Sequence, residues 1–455
     1  MEFIGDFLPV IMFAVLAVLL FSGLPVAVVL GGVGVGIALF AVGIDELNFR
    51  RLLLLPGRVF GGIVENLVLV AIPMFIYMGT MLERSGVAND LLHALQVLLR
   101  RVPGGLALSV TLMGTIMAAT TGIIGASVVM MTLLALPVML SRNYNIPLAT
   151  GTIAASGTLG ILIPPSIMLV IMGDLLSISV GTLFLAAILP GLILAGLYLL
   201  FILVRCGFKP QLAPPLPESE GPESVGGLIV MVLKSFVPPV LLIVLVLGSI
   251  FAGFATPTEA AGVGALGATI LAAVNRRLSF AVMKDVLERS ALTGAMLFFI
   301  FVGATAFAYV FRALGGDDLV IGFVESFGFG SWGILFLLMG IVFFLGFFFD
   351  WIEITLIVLP VFAPIIALLD FGDHLPVELI VPWFAILVAV NLQTSFLTPP
   401  FGFALFYMKG VAPPEVKIQQ IYTGIIPFVL LQLIGLMLVI LFPQLALWLP
   451  TTVLD

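Results

Sequence analysis

Two heptapeptides hold the residues best suited to chemistry: Gly160-Ile161-Leu162-Ile163-Pro164-Pro165-Ser166 and Thr394-Ser395-Phe396-Leu397-Thr398-Pro399-Pro400. Each sets a proline pair inside a long apolar run. A proline pair removes two backbone donors and stops the preceding helix. The residues before the prolines, Gly157-Thr158-Leu159-Gly160 and Gln393-Thr394-Ser395, are expected to unwind and expose carbonyls and hydroxyls. Such hard oxygen donors suit Na⁺. Pro164-Pro165-Ser166 and Thr398-Pro399-Pro400 are expected to start new half-helices, because proline fits a first helical turn. A helix N-terminus carries about half an elementary positive charge, which suits a small anion without a trapped cation.

The rest of the chain says where such breaks must lie. Of its 455 residues 62% are apolar and only 9% charged, whereas a soluble domain has about a quarter charged. Apolar runs near twenty residues recur, so the expected fold is all-α, polytopic and membrane-embedded. A β-barrel would alternate instead. The run starting near Phe7 lacks a basic flank and passes straight into a second span, unlike a cleavable signal. The lone Cys206 excludes an internal disulfide, and His93 and His374 lie far apart; a metal centre or a His-based active site is not expected. The net charge of −7 reports topology rather than a binding face, and nothing points to nucleic acid.

Spans are expected at 7–22, 25–43 and 67–83, with an amphipathic stretch at 45–64 and a polar, helix-period one at 84–104. An apolar pair follows, 105–121 and 128–140, then a broken span at 147–178 with its gap at 157–165, then a span at 182–204. The second half repeats the plan: spans at 228–252 and 259–274, an amphipathic stretch at 276–290, a span at 291–311 and a polar stretch at 312–330. Its apolar pair is 331–347 and 352–369, its broken span 379–409 with a gap at 393–400, and its last span 421–442. This divides the chain into a first repeat at 1–204, a cytoplasmic linker at 205–226 and a second repeat at 227–455. If the pairs near 105–140 and 331–369 are re-entrant hairpins, each half crosses five times and the repeats are inverted. With both termini outside, thirteen of the 17 Lys and Arg fall inside, which favours this orientation. Interrupted apolar segments at corresponding places in two halves are the sequence sign of a secondary transporter's binding site.

A hairpin tip facing each gap would complete a cation cage: Gly122–Ser127 for the first and Gly346–Asp350 for the second. Asp350 and Glu353 are carboxylates within apolar surroundings, by default a functional sign, although a hairpin tip is wetter than a helix centre. Glu259 after Thr256-Pro257-Thr258 reads as a helix cap. Gly31, Gly32, Gly34 and Gly36 read as close-packing positions.

The heptapeptides, with Thr256-Pro257-Thr258-Glu259-Ala260-Ala261 and Gly346–Asp350, together resemble the large membrane subunit of TRAP transporters, the DctM-like family. The resemblance implies a tripartite system in a bacterial inner membrane: this subunit, a small four-helix membrane subunit and a periplasmic substrate-binding protein. It implies Na⁺-driven import of a small organic acid, with Na⁺ as coupling ion and no cofactor, by an elevator motion of hairpins and broken helices against a scaffold. Carried over, one Na⁺ site comprises Gly122, Gly125, Ser127, Gly157, Thr158 and Gly160. The second comprises Gly346, Asp350, Thr394, Ser395 and Thr398. The acid lies between them at Pro165, Ser166, Thr398 and Pro399. Gly125-Ala126-Ser127 departs from the family's Ser-Ser, which throws more of the first site onto backbone oxygens. The alternatives are a stand-alone Na⁺/dicarboxylate symporter, whose Ser-Asn-Thr tips are missing here, and a polytopic membrane enzyme, whose titratable cluster is also missing.

Overall fold

The computed structural model describes residues 2–121, 124–215, 224–326, 328–399 and 402–454. Regular structure among them is entirely helical. The first half runs α1 (Glu2–Leu20), α2 (Val26–Gly43), two short helices α3 (Phe49–Leu52) and α4 (Leu55–Val59), α5 (Ala71–Arg84), α6 (Val87–Leu98), α7 (Gly105–Thr121), α8 (Ile124–Ser141), α9 (Ile146–Thr158), α10 (Ile167–Leu176) and α11 (Val180–Phe208). The second runs α12 (Val225–Phe251), α13 (Pro257–Val274), α14 (Phe280–Ala313), α15 (Gly316–Ser326), α16 (Ser331–Leu345), α17 (Trp351–Ile366), α18 (Ile380–Ser395), α19 (Phe403–Val411), α20 (Ile418–Leu441) and α21 (Gln444–Val453). Among the described residues, eight helices are long and apolar enough to cross a bilayer. A ninth is obtained if the segments Phe49–Val64 and Val68–Arg84, bent by 57°, count as one.

Helices cross between the halves in a reciprocal way. α2 packs on α14 while α5 packs on α13; α8 packs on α19 while α10 packs on α17. Small residues allow the closest approaches. A methyl at Gly34 would lie 3.0 Å from the α14 backbone at Ala306 and Phe307, and one at Gly303 would overlap the Ala27 carbonyl. Without a strong hydrophobic drive inside lipid, such backbone contact is what holds helices together. Of the four glycines expected to pack, Gly31 and Gly34 meet α14, whereas Gly32 and Gly36 face open space. The α9–α20 crossing is tighter still: Gly151 lies on the Gly424 carbonyl and Gly424 on that of Pro147.

Several expected boundaries shift. The amphipathic stretch at 276–290 and the span at 291–311 are one helix, α14, because nothing between Glu288 and Leu292 breaks helix. At about 1.5 Å per residue it is roughly 50 Å long. The short α21 follows α20 after Pro443 and was not expected. The cap read at Glu259 forms: its carboxylate accepts from the Thr256 amide at 2.8 Å, and Thr256 Oγ1 accepts from the Glu259 amide at 3.3 Å.

The breaks also start later than expected. Gly157 and Thr158 form the last turn of α9, and Gln393, Thr394 and Ser395 the last turn of α18. The reason is the four-residue reach of the helical hydrogen bond. Pro164 and Pro165 withhold donors from the carbonyls of Gly160 and Ile161, not from those before them, and Pro399 likewise frees the Ser395 carbonyl. The first new helix does not begin at its prolines: α10 starts at Ile167, two residues after Pro165, with Ser166 as an extended N-cap. α19 starts at Phe403 after Gly402, while Pro400 lies outside the described residues.

Candidate functional site

α8 starts within the first expected tip, and α17 starts directly after the second, each between the two arms of its apolar pair. Gly122 lies outside the described residues, so the first tip is visible only from Ile124 onward. The second tip is held by a reciprocal cap. Asp350 Oδ1 accepts from the Trp351 amide at 2.7 Å, and Glu353 Oε2 accepts from the Asp350 amide at 2.7 Å. Such a cap contributes about 1 kcal/mol and explains why the two carboxylates stand three residues apart.

A cavity of about 120 Å³ lies between the start of α8 and the start of α17. Ile124 and Gly125 bound it from α8, and Asp350, Trp351 and Ile352 from the second tip. Ile167 opens α10 into it, Phe403 and Tyr407 face it from α19, and Phe396 comes from the second break. Thr293, Met296 and Leu297 of α14 close the side. The Tyr407 ring covers Gly125, where an added Cβ would lie 3.1 Å from Cε2. The cavity is apolar apart from Asp350, Tyr407, Thr293 and backbone, which is the usual make-up of a small-molecule site.

The structure thus brings Gly125 and Asp350 to one cavity, from opposite halves of the chain. It does not bring Pro165, Ser166, Thr398 or Pro399 to that wall. Ser166 is buried and its hydroxyl donates to the Ile161 carbonyl, one of the two freed by the prolines. Thr398 is half-buried and donates to the Thr394 carbonyl at 2.5 Å. Thr158 and Thr394 also donate to their own helices, to Ala155 at 2.9 Å and Asn391 at 2.6 Å. A hydroxyl that donates in this way still offers oxygen lone pairs to a cation.

Gap residues touch the expected second tip itself and, in the first half, the residue that follows the expected tip. Gly346 sits directly on Ser395, so that any side chain at 346 would overlap Ser395 Oγ. Gly157 sits on Val128, its would-be Cβ 2.5 Å from Cγ2, next to the buried Ser127. Gly160 is also buried. Among the described residues, no group of three or more His, Cys, Asp or Glu could hold a metal ion.

The second break carries a feature that composition alone concealed. Both polar atoms of the Gln393 side chain, Ser395 Oγ and Asn391 Oδ1 are buried without a hydrogen-bond partner, and so is Thr355 Oγ1 on α17. Leaving one such group unmet costs about 1–3 kcal/mol. Each is a group that water or an ion completes. Gln393 and Asn391 were legible as amides in an apolar run; Tyr407 and the α14 residues had no such signal, since only packing brings them to the tips.

Residues 13–445 match the family described as the Tripartite ATP-independent periplasmic transporter, DctM component. The chain is 30% identical over 387 residues to the C4-dicarboxylate TRAP transporter large permease protein DctM of Pseudomonas aeruginosa, covering 85% of this chain and 87% of that one. It is 29% identical over 449 residues to the isethionate TRAP transporter permease protein DctMQ of Oleidesulfovibrio alaskensis, covering 96% of this chain and 66% of that one. Among solved structures it is similar to the YdaH transporter of Alcanivorax borkumensis, with a TM-score of 0.58, 15% identity and 89% of each chain covered. At that identity the likeness concerns the fold.

Proposed function

Because this chain belongs to the DctM family of large TRAP permeases, and so is a transporter subunit rather than an enzyme, we propose that it imports a small organic acid driven by a Na⁺ gradient. The observation that carries the reading is the convergence of both tips and both resumed helices, through Gly125, Asp350, Ile167 and Phe403, on one cavity. A site built from both halves is what alternating access requires. The reciprocal packing of α2 with α14 and α5 with α13, and of α8 with α19 and α10 with α17, supports two inverted repeats, 1–204 and 227–455, around a linker at 205–226.

In this reading Na⁺ is a co-substrate held at the two tip-to-gap contacts. The first site uses Gly122, Gly125, Ser127, Gly157, Thr158 and Gly160, mainly through backbone oxygens. The second uses Gly346, Asp350, Thr394, Ser395 and Thr398. Unpartnered Ser395 Oγ, an oxygen in contact with Gly346 of the second tip, favours the second; the Gln393 amide, unpartnered at both atoms, needs an acceptor as well as a donor. The acid occupies the tip cavity, near the amide end of α10 that begins after Ser166 and the segment of Thr398 and Pro399 before α19. Positive helix ends there offset its charge. Filling either cation site links tip to gap and stabilises the loaded assembly.

An elevator would divide the helices into two units: tips and broken helices in the moving one, and α2, α5, α13, α14 and the arm around α3 and α4 in the scaffold. The tip cavity meets α14 at 293–297, the middle of that helix; the end bearing Lys284 and Arg289 is assigned to the cytoplasmic side, with both termini periplasmic. Partners follow the family: a small membrane subunit and a periplasmic binding protein, with the acid selected outside this chain.

Proteoliposomes holding both membrane subunits test the reading. Uptake of a cognate acid is expected only with an inward Na⁺ gradient and the binding protein present. Equal uptake without Na⁺, or without the binding protein, would refute the corresponding part.

A further inference from the structure

A second cavity, of about 630 Å³, opens beside the C-terminal half of α14, the half assigned to the exterior in the proposed function. Its lining includes residues 301–313 of that helix, against 293–297 for the tip cavity. The two therefore succeed one another along α14, roughly 18 Å apart at 1.5 Å per residue. The outer cavity lies between the two units. α14 and the arm supply one wall, and Leu175, Leu356 and Pro360 of α10 and α17 supply the other.

The charged residues that line it are three arginines, Arg51, Arg58 and Arg312. They are fixed by contacts that leave most guanidinium donors unspent. Arg51 donates through Nη1 to the Ala313 carbonyl at 3.2 Å, and its own carbonyl accepts from Tyr309 Oη at 2.8 Å. The Arg58 guanidinium lies 5.9 Å from the centre of the Tyr309 ring. Arg312 donates to the Pro360 carbonyl at 3.2 Å, which lacks its helical donor because Pro364 has no N–H. The acidic neighbour Asp317 approaches Arg312 at only 3.6 Å and does not line the cavity. Three guanidiniums with five donors each, on one concave wall and without a lining carboxylate, form a site for an oxyanion.

We propose that this cavity is a second anion site, which holds a small carboxylate in transit between the exterior and the tip cavity. The carboxylate identity and the outward direction rest on the proposed function; the anion site itself does not. The arginines focus the acid at the mouth of the path, as like charges in a cleft do. None is so deeply buried that release would strand a desolvated cation. Arg312 adds a link to motion, since its hydrogen bond to Pro360 joins α14 to α17 and must break if those helices slide.

Thiol labelling tests the site without any need for transport. The protein has a single cysteine, Cys206, which is buried. A Thr305→Cys variant in a Cys206→Ala background, purified with its small subunit in detergent, places one thiol in the cavity wall. The anionic sulfonatoethyl methanethiosulfonate is expected to outpace its cationic trimethylammonium counterpart by about tenfold or more over their ratio on a free thiol. Arg58→Gln and Arg312→Gln should each erode that preference, Arg312→Lys should keep much of it, and succinate should slow the anionic reagent. Equal rates for the two reagents, or a preference indifferent to the arginine variants, would overturn the anion site. Protection by phosphatidylglycerol micelles but not by succinate would overturn the carboxylate and leave a lipid headgroup in its place. Loss of Na⁺-coupled uptake with the labelling pattern intact would count against the proposed function instead.

Discussion

The two breaks look alike in sequence but differ in what they leave unmet. At the first, Ser166 donates to the Ile161 carbonyl, Thr158 to Ala155, and Ser156 to Thr111 at 3.2 Å. The exception in α9 is Thr152, almost two turns before its end. At the second, Gln393, Ser395 and Asn391 all retain unpartnered polar atoms, and the facing tip carries the carboxylate Asp350. One proline-built break is therefore largely self-sufficient, while the other waits for a partner. A pseudo-symmetric pair need not share its chemistry equally: the same backbone device supplies oxygens in both halves, but side chains decide which half is sensitive to a ligand.

The sharpest way to break the comparison is at the tip contacts. Gly346→Ala is expected to force the second tip off Ser395 and lower Na⁺-driven uptake about a hundredfold, the scale of a displacement near 1 Å at a reacting or binding centre. Gly340→Ala, whose added methyl would meet nothing within 4 Å, should leave uptake unchanged in the same assay. Comparable activity of the two variants would show that the Gly346 contact is mere packing. Of intermediate size is the difference between breaks. Gln393→Leu should raise the Na⁺ concentration for half-maximal uptake about tenfold, as expected for one lost charge-assisted contact of about 1.4 kcal/mol, while Thr158→Val should barely move it. A larger shift for Thr158→Val would reverse the assignment.

The smallest effect separates the two roles of Asp350. Asparagine also caps helices, so Asp350→Asn should unfold within a few tenths of a kcal/mol of wild type, whereas Asp350→Ala should lose about 1 kcal/mol. Both are expected to reduce Na⁺-coupled uptake because both remove the charge at the cavity. Wild-type uptake by Asp350→Asn, measured beside its thermal unfolding, would confine Asp350 to capping.

Much of this arrangement was legible in the chain itself. Apolar runs of about twenty residues mark the spans, because bilayer thickness sets their length. The proline pairs mark the breaks, because a missing N–H acts wherever the residue sits. Thr256 with Glu259 announces a cap, because capping is local. Even so, the residues 393–395 were expected to unwind and remain helical, since a proline frees carbonyls only four residues back. Continuity of α14 was hidden by its change from amphipathic to apolar, which alters what the helix faces but not whether it forms.

Tertiary structure alone decided the rest. Ser166 and Thr398 stand at the breaks, yet Tyr407, Trp351, Met296 and Thr293 line the cavity. Arg51, Arg58 and Arg312 lie up to 261 positions apart and share one wall. Composition and periodicity report what each segment does to its own backbone and to lipid. Which side chains meet across a cavity depends on how the helices of one half cross those of the other, and those crossings are set by where small residues such as Gly34, Gly303 and Gly424 let two backbones touch.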